Sequence, residues 1–210
     1  MELREFVFLT LKDDHGGHGY DHIMRVYENA MKIHKEEGGD RRVIEASCLL
    51  HDCLDEKLGL NTPEQKTKIA SLLSDNSYGD VESKHILSVI SRMSFHLHDE
   101  DDLTVEDMVV RDADRLDAMG KIGIDRAIAY GNSKGRPLFS EKDKEDIGNG
   151  LPPHSESTIS HFFDKLLLLD RHLYTATAKK MAVPLKRELI DFVRRSFLDE
   201  GLPFDERILP

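Results

Sequence analysis

The chain has 210 residues, which is enough for one sizeable hydrophobic core, and nothing in it demands two domains. Its formal net charge of −11 argues against nucleic acid or an anionic membrane as a partner, and a phosphate-bearing ligand would need a local cationic site. No apolar run reaches membrane-spanning length. The two cysteines, Cys48 and Cys53, lie five residues apart on one predicted helix, so we expect reduced thiols and a cytoplasmic protein.

Helical patterns fill the first quarter of the chain. A short amphipathic helix is predicted over residues 2–12, and a longer one runs from Asp21 to a pair of glycines. Asp40 can cap the next helix, which is apolar on nearly every face as far as Leu50. In a chain without a membrane span, such a pattern predicts a helix through the middle of the core.

The chemistry-bearing residues begin where this core helix ends. His51 and Asp52 follow Leu50 directly, and an imidazole and a carboxylate are costly to bury unless something neutralises or binds them. A divalent metal would do both, because neutral imidazole and carboxylate are metal ligands. A hydrogen-bonded pair at a helix end is the alternative interpretation.

Two capping signals, Thr62–Gln65 and Thr104–Asp107, predict the starts of further helices. The helix after Thr104–Asp107 carries aspartates in an otherwise apolar body. Asp114 and Asp117 share one face, whereas Asp112 is about 200° round the helix from Asp114, so both cannot point at one site. A lattice of surface salt bridges is the alternative for this segment.

The region from Gly131 to Pro153 is rich in glycine, proline and charged residues, and its apolar residues show no helical or strand periodicity. A stretch of this kind indicates a lid, a binding loop or disorder, and we expect it to gate a site. Helices are predicted again over 155–198, and Pro184 should kink or break the last of them. With no period-two strand and no internal repeat, the predicted fold is all-α.

The pattern His22, His51-Asp52 and Asp114 resembles the metal-binding signature of the HD-domain superfamily of phosphohydrolases. It is similar to the bacterial stand-alone branch, some of whose members remove pyrophosphate from nucleoside triphosphates. The resemblance implies a single-domain HD-type helical bundle over 1–210, with a catalytic core at about 18–130. The segments that carry it are His18-x-x-x-His22-x-x-Arg25, Leu50-His51-Asp52-x-x-Asp55-x-Lys57, Asp112-Ala113-Asp114-Arg115-Leu116-Asp117 and His161-Phe162-x-x-Lys165-Leu166.

By that resemblance, His22, His51, Asp52 and Asp114 would be the ligands of a divalent metal, which decides between Asp112 and Asp114. Mn²⁺ or Mg²⁺ suits phosphate chemistry, and Co²⁺, Ni²⁺ or Fe²⁺ would fit the same nitrogen and oxygen donors. The implied activity is metal-dependent hydrolysis of a phosphoester or phosphoanhydride bond in a nucleotide or similar small phosphorylated metabolite.

Six further residues are candidates for roles around such a metal. Asp55 is the candidate acid–base group, Lys57 is the second candidate catalytic residue, and Arg25 is a candidate for gripping phosphate oxygens. Three more residues are candidate substrate contacts, namely His18, Lys121 and Arg126. For all six, a surface salt bridge or a helix cap is the alternative role.

Two other functions stay open. The chain could be a nucleotide- or metal-sensing protein without catalysis, although intact Asp55 and Lys57 favour an enzyme. A di-iron oxygenase, as some HD proteins are, would need a second metal bound through extra histidines, for which the candidates are His85, His96 and His98. The sequence leaves the substrate, the leaving group and the oligomeric state open.

Overall fold

The structure is a computed structural model, and it describes residues 1–12, 19–56, 58–93 and 102–210. These residues form ten α-helices and no strand, which confirms the all-α prediction. None of the described helices is both long and apolar enough to cross a membrane. The helices are α1 (Leu3–Leu11), α2 (Tyr20–Glu37), α3 (Arg41–Leu50), α4 (Pro63–Asp75), α5 (Asp80–Ser91), α6 (Val105–Asp117), α7 (Gly120–Ser133), α8 (Glu141–Gly148), α9 (Thr158–Asp164) and α10 (Ala176–Asp199), with short 3₁₀ segments at His51–Leu54, Leu166–His172 and Glu206–Ile208.

The helices belong to two compact units. The first unit comprises residues 1–114 and 174–177, and the second comprises 115–173 and 178–210. Thus α1 to α5 and most of α6 lie in the first unit, whereas α7 to α9 and most of α10 lie in the second. The expectation of one domain over the whole chain stays a prediction.

Helix α3 is the centre of the first unit, where it packs against α1, α2 and α5. Seven of its ten residues are buried, among them Ile44 and Leu50, neither of which has any exposed surface. Full burial of a side chain of this size is worth about 1.5–3 kcal/mol. The carboxylate of Asp40 accepts the backbone N–H of Arg42 at 2.9 Å and so caps the helix, as its sequence predicts.

Both capping signals start helices, but only one makes the full reciprocal pair. At α6, Asp107 accepts the Thr104 N–H at 2.9 Å, and Thr104 Oγ1 accepts the Asp107 N–H at 3.2 Å. At α4, Thr62 Oγ1 accepts the Gln65 N–H at 3.1 Å, whereas the Gln65 side chain donates to the carbonyl of Cys53 at 3.3 Å. Gln65 therefore ties the start of α4 to the 3₁₀ turn that follows α3.

The segment 131–153 is not the continuous loop that its composition suggests. It contains α8, which begins with a capping box in which Ser140 and Asp143 bond each other's backbone N–H groups at 2.7 and 3.1 Å. Two apolar side chains of this segment, Phe139 and Ile147, are buried. Those two anchors are too few to give a helical period in the sequence, which is why the loop prediction was wrong here.

Helix α10 continues through Pro184 from Ala176 to Asp199, so a break at this proline is wrong, whereas a kink stays a prediction. Proline removes one backbone N–H and normally costs about 3 kcal/mol or more in a helix interior. Here Pro184 lies on an exposed stretch of the helix beside Val183, where water can bond the carbonyl that the ring leaves without its usual donor.

Candidate metal centre

The first unit brings three of the four predicted metal ligands into one cluster. His22 lies in the first turns of α2, His51 opens the 3₁₀ turn after α3, and Asp114 lies near the end of α6. One donor atom from each of these residues lies within 4.8 Å of the other two. His22 Nε2 and Asp114 Oδ1 are 3.5 Å apart.

Asp52 joins the cluster through both of its carboxylate oxygens. Oδ2 lies 3.5 Å from Nε2 of His22, and Oδ1 lies 3.3 Å from Nε2 of His51. The two imidazole rings meet edge to face with their centroids 5.4 Å apart. The Nε2 atoms of both histidines therefore face carboxylate oxygens, an arrangement that a cation among them would stabilise.

A hydrogen bond to the backbone fixes which nitrogen of His51 is available as a ligand. His51 Nδ1 lies 2.8 Å from the carbonyl oxygen of Cys48, three residues earlier in the chain. Because a carbonyl only accepts, Nδ1 carries the proton and donates, and Nε2 of the neutral ring keeps its lone pair toward the cluster. Metal-binding imidazoles are usually oriented by a hydrogen bond of this kind. The sequence indicates this bond only through the position of His51 at the end of a helix, three residues after Cys48.

The cluster is buried on the histidine side and open on the Asp114 side. His22, His51 and Asp52 are at most 6 % exposed, whereas the side chain of Asp114 is 40 % exposed. One buried and one half-buried carboxylate lie beside the imidazoles, and their negative charge needs compensation. The set of two nitrogen and two carboxylate donors fits a divalent metal ion.

Asp112 has a structural role instead. Its fully buried carboxylate accepts the backbone N–H groups of Tyr174 and Thr175 at 2.9 and 2.8 Å, and the hydroxyl of Thr175 at 2.8 Å. These bonds hold the chain just before α10. The neighbouring Arg111 donates to the carbonyl of Arg92 at 3.0 Å and to the Tyr174 hydroxyl at 3.1 Å. The geometry of the two aspartates thus agrees with the choice of Asp114 as the candidate ligand.

The candidate acid–base residue Asp55 follows the cluster by one turn. Its Oδ1 accepts the backbone N–H of Leu58 at 3.0 Å, and its carbonyl accepts the N–H of Leu60 at 3.0 Å. These bonds stabilise the turn after the 3₁₀ segment. Asp55 and Arg25 are both half-buried, and Arg25 lies one turn after His22 on α2. Their roles in catalysis and phosphate binding stay predictions.

The structure shows local ion-pair partners for two of the other candidate substrate contacts. Lys121 and Arg126 belong to the second unit, where Lys121 pairs with Asp125 at 2.6 Å and Arg126 with Asp117 at 3.4 Å. These contacts match the alternative role as salt bridges. The remaining candidates, His18 and Lys57, lie outside the described residues.

Of the three candidate histidines for a second metal, only His85 is among the described residues. His85 Nε2 lies 3.6 Å from Oε2 of Glu106 and 3.4 Å from the hydroxyl of Thr104. The other oxygen of Glu106 accepts the backbone N–H of Asp40 at 2.6 Å, so this group joins the starts of α3 and α6. His96 and His98 lie outside the described residues.

Comparison with known proteins identifies a family for this arrangement. The family model described as HD domain matches residues 19–119, a range that includes all four candidate ligands. The uncharacterised protein YpgQ of Bacillus subtilis is 30 % identical over 205 residues, which are 96 % of this chain and 93 % of YpgQ.

Solved structures show the same fold. An HD-superfamily hydrolase from Bacillus thuringiensis is 34 % identical with a TM-score of 0.76, and the match covers 95 % of each chain. The structure of Bacillus subtilis YpgQ in complex with ADP is 28 % identical with a TM-score of 0.73, and the match covers 94 % of this chain and 95 % of that one.

Proposed function

The chain belongs to the HD-domain family, and from that premise we propose that it is a metal-dependent phosphohydrolase acting on a nucleotide or a similar small phosphorylated metabolite. The observation that carries the proposal is the cluster of two imidazoles and two carboxylates on three elements of the first unit. The ligands would be His22, His51, Asp52 and Asp114.

The donor set suits Mn²⁺ or Mg²⁺, and Co²⁺, Ni²⁺ or Fe²⁺ would fit the same residues. When bound, such a cation lowers the pKa of a water molecule and offsets negative charge on a phosphoryl group. The protein supplies the orientation, because the Cys48 carbonyl holds His51 in one tautomer and Asp52 spans both imidazoles.

Residues around the cluster would hold the substrate and move protons. The exposed side of Asp114 is where a phosphate group would reach the cluster from solvent. Arg25 would grip phosphate oxygens with its planar guanidinium, and Lys57 would act as a point charge. Asp55 would accept or donate a proton, and its bond to the Leu58 N–H holds the carboxyl group in place.

A nucleotide is the favoured substrate class. The related YpgQ was solved in complex with ADP, so a protein of this fold binds a nucleoside diphosphate. The net charge of −11 makes the bulk of this chain repel such anions, and a divalent cation within the ligand cluster would cancel the negative charge of its two carboxylates. The leaving group, phosphate or pyrophosphate, is for experiment to decide.

Metal analysis and a substrate screen test the proposal. We expect about one metal per chain in metal-loaded wild type, as a single four-residue cluster requires, and loss of that metal in His51→Ala and Asp114→Ala. The matched control is His34→Ala, because His34 lies on α2 with His22 but bonds the carbonyl of Gly38 at 2.9 Å instead.

The screen measures phosphate and pyrophosphate release from nucleoside mono-, di- and triphosphates by the metal-loaded protein. Turnover of at least one of these, abolished by His51→Ala and kept by His34→Ala, would support the hydrolase. Tight nucleotide binding without turnover would favour the sensing alternative, and two irons per chain would favour an oxygenase.

A second experiment separates the acid–base role from metal binding. Asp55→Asn keeps the shape and the acceptor for the Leu58 N–H but removes the titratable group. We expect kcat to fall by about 10²–10⁴-fold with metal content unchanged. Loss of metal would make Asp55 a ligand, and full activity would leave it only the turn-stabilising bond.

A further inference from the structure

The second unit contains an open cleft of about 720 Å³. It is formed by the end of α7, the turn that follows it, the first turn of α8, and the segments before α8 and α9. None of its lining residues belongs to the metal cluster. The lining residues are Tyr130, Lys134, Gly135, Arg136, Pro137, Ser140, Lys142, Ser155, Glu156 and Ser157.

The charge of this cleft is opposite to that of the chain. Three cationic side chains line it, Lys134, Arg136 and Lys142, against the single acid Glu156, whereas the whole chain has 29 basic and 40 acidic residues. Within the part of the chain that the structure describes, none of the three cations has a carboxylate ion-pair partner. By contrast, Lys144 on α8 pairs with two glutamates at 3.1 and 2.8 Å. The cleft therefore offers cations whose charge is not already offset by the protein.

An exposed aromatic ring lies beside two of these cations. Tyr130 is 55 % exposed, and the charged groups of Lys134 and Arg136 each lie 5.7 Å from its ring centroid. A large aromatic side chain left in solvent next to cations offers a surface for stacking as well as for charge.

The backbone that carries these groups is held in place. The Arg136 N–H donates to the carbonyl of Gly131 at 2.9 Å, and the Thr158 N–H donates to the carbonyl of Pro137 at 2.9 Å. Gly131 packs so closely on Thr158 that an added Cβ would lie 2.1 Å from its hydroxyl oxygen. A cleft with a fixed frame loses little entropy when it binds a ligand.

The serines of the cleft serve this frame. The hydroxyl groups of Ser140 and Ser155 donate to the buried carboxylate of Asp143 at 2.7 and 3.0 Å. Burial alone would raise the pKa of Asp143, but bonds from the Ser140 backbone and from serine hydroxyls outweigh it and hold that pKa below its ordinary value. Recognition of a ligand is thus left to the cations and the tyrosine ring.

We propose that this cleft is a second ligand site, which binds the phosphate chain of a small polyphosphate-bearing molecule through Lys134, Arg136 and Lys142. A free polyphosphate and a nucleoside polyphosphate share this chemistry, and Tyr130 would add stacking only for the nucleoside. The site goes beyond the proposed hydrolase activity, since it uses no residue of the metal cluster.

Lysine acylation footprinting of the full-length protein reads the site directly, because Lys134 and Lys142 are exposed. With inorganic tripolyphosphate as the probe, both lysines should be protected, whereas the exposed Lys180 of the same unit should label as before. In Arg136→Gln, the tripolyphosphate concentration that protects Lys142 should rise about tenfold or more, the effect of one lost charge-assisted bond. Lys180→Gln is the matched control and should leave that concentration unchanged.

Unchanged labelling of both cleft lysines, or equal protection of Lys180, would overturn the proposal. So would protection that disappears in His51→Ala, because the anion would then be held by the metal cluster. Repeating the titration with ADP and with Tyr130→Leu distinguishes the two ligand sources. A Tyr130→Leu defect confined to ADP indicates a nucleoside polyphosphate, and equal affinities for ADP in both proteins indicate that only the phosphate chain is recognised.

Discussion

Alanine in place of Asp112 should destabilise the fold but leave metal binding intact. Alanine in place of Asp114 should abolish metal binding but leave the stability of the fold nearly unchanged. The two aspartates are two residues apart on α6 and have the same chemistry. They differ in their surroundings, since Asp112 is fully buried with backbone and hydroxyl donors around it and Asp114 is partly exposed beside His22.

The magnitude follows from the donors that lose their acceptor. In Asp112→Ala, the N–H and the hydroxyl of Thr175 are left without the carboxylate, and Thr175 is only 6 % exposed. Each buried donor left unsatisfied costs about 1–3 kcal/mol, so these two give about 2–6 kcal/mol. For a chain of this size, about 2–4 °C per kcal/mol implies a fall in Tm of about 4–24 °C.

Thermal unfolding followed by far-UV circular dichroism measures this effect. The comparison is made in chelator, because a bound metal would itself stabilise the native state and obscure the difference. Metal content of the folded proteins is measured separately at low temperature. Asp114→Ala should change the metal-free stability by less than about 1 kcal/mol and abolish metal binding.

Two results would refute this reasoning. A change in Tm of less than about 2 °C in Asp112→Ala would mean that its hydrogen bonds contribute little net stability. Loss of metal from folded Asp112→Ala, with metal retained in Asp114→Ala, would mean that the ligand has been assigned to the wrong aspartate.

Three further results are expected. Gly123→Ala should lower the free energy of unfolding by about 1–3 kcal/mol in urea titration, because its Cβ would lie 2.1 Å from the Ala118 carbonyl oxygen. Gly148→Ala is the control, since no atom lies within 4 Å of its Cβ, and it should leave the free energy of unfolding unchanged or raise it. Cys48 and Cys53 are fully buried, and burial raises the pKa of Cys53 to about 12 and that of Cys48 further, so neither thiol should react with a thiol reagent until denaturant is added. Because the pKa of Asp143 is lowered in the folded state, its stabilisation is complete above the ordinary carboxyl pKa of about 3.9 and is lost as the pH falls through the folded value. The stability deficit of Asp143→Asn, measured by urea unfolding, should therefore shrink in acid; a constant deficit from neutral to acid pH would contradict this.

The parts of the structure that local signals determine were predicted well. Apolar periodicity and the cap at Asp40 predicted α3 as a core helix, and Thr104 predicted the start of α6. These features depend on residues within one or two turns of each other, so the sequence alone carries them. The HD-type resemblance, confirmed by the family comparison, added the grouping of candidate ligands that lie 29 and 62 residues apart.

Hydrogen-bond partners that lie far apart along the chain could not be predicted from the sequence. Helical geometry separated Asp112 from Asp114 but could not say which faces the cluster, because the donors to Asp112 come from Tyr174 and Thr175, more than 60 residues later. Helix α8 did leave a local signal, the Ser140-x-x-Asp143 spacing, which the glycine-rich composition around it obscured.

The bond from His51 to the Cys48 carbonyl has a consequence for how the protein tolerates mutation. Where a side-chain carboxylate orients a histidine, the orientation is lost when that second residue changes. Here the acceptor is a main-chain atom, which every amino acid provides. Substitution at position 48 can alter packing in the core, but it cannot remove the carbonyl acceptor. The orientation of His51 therefore does not depend on which side chain occupies position 48.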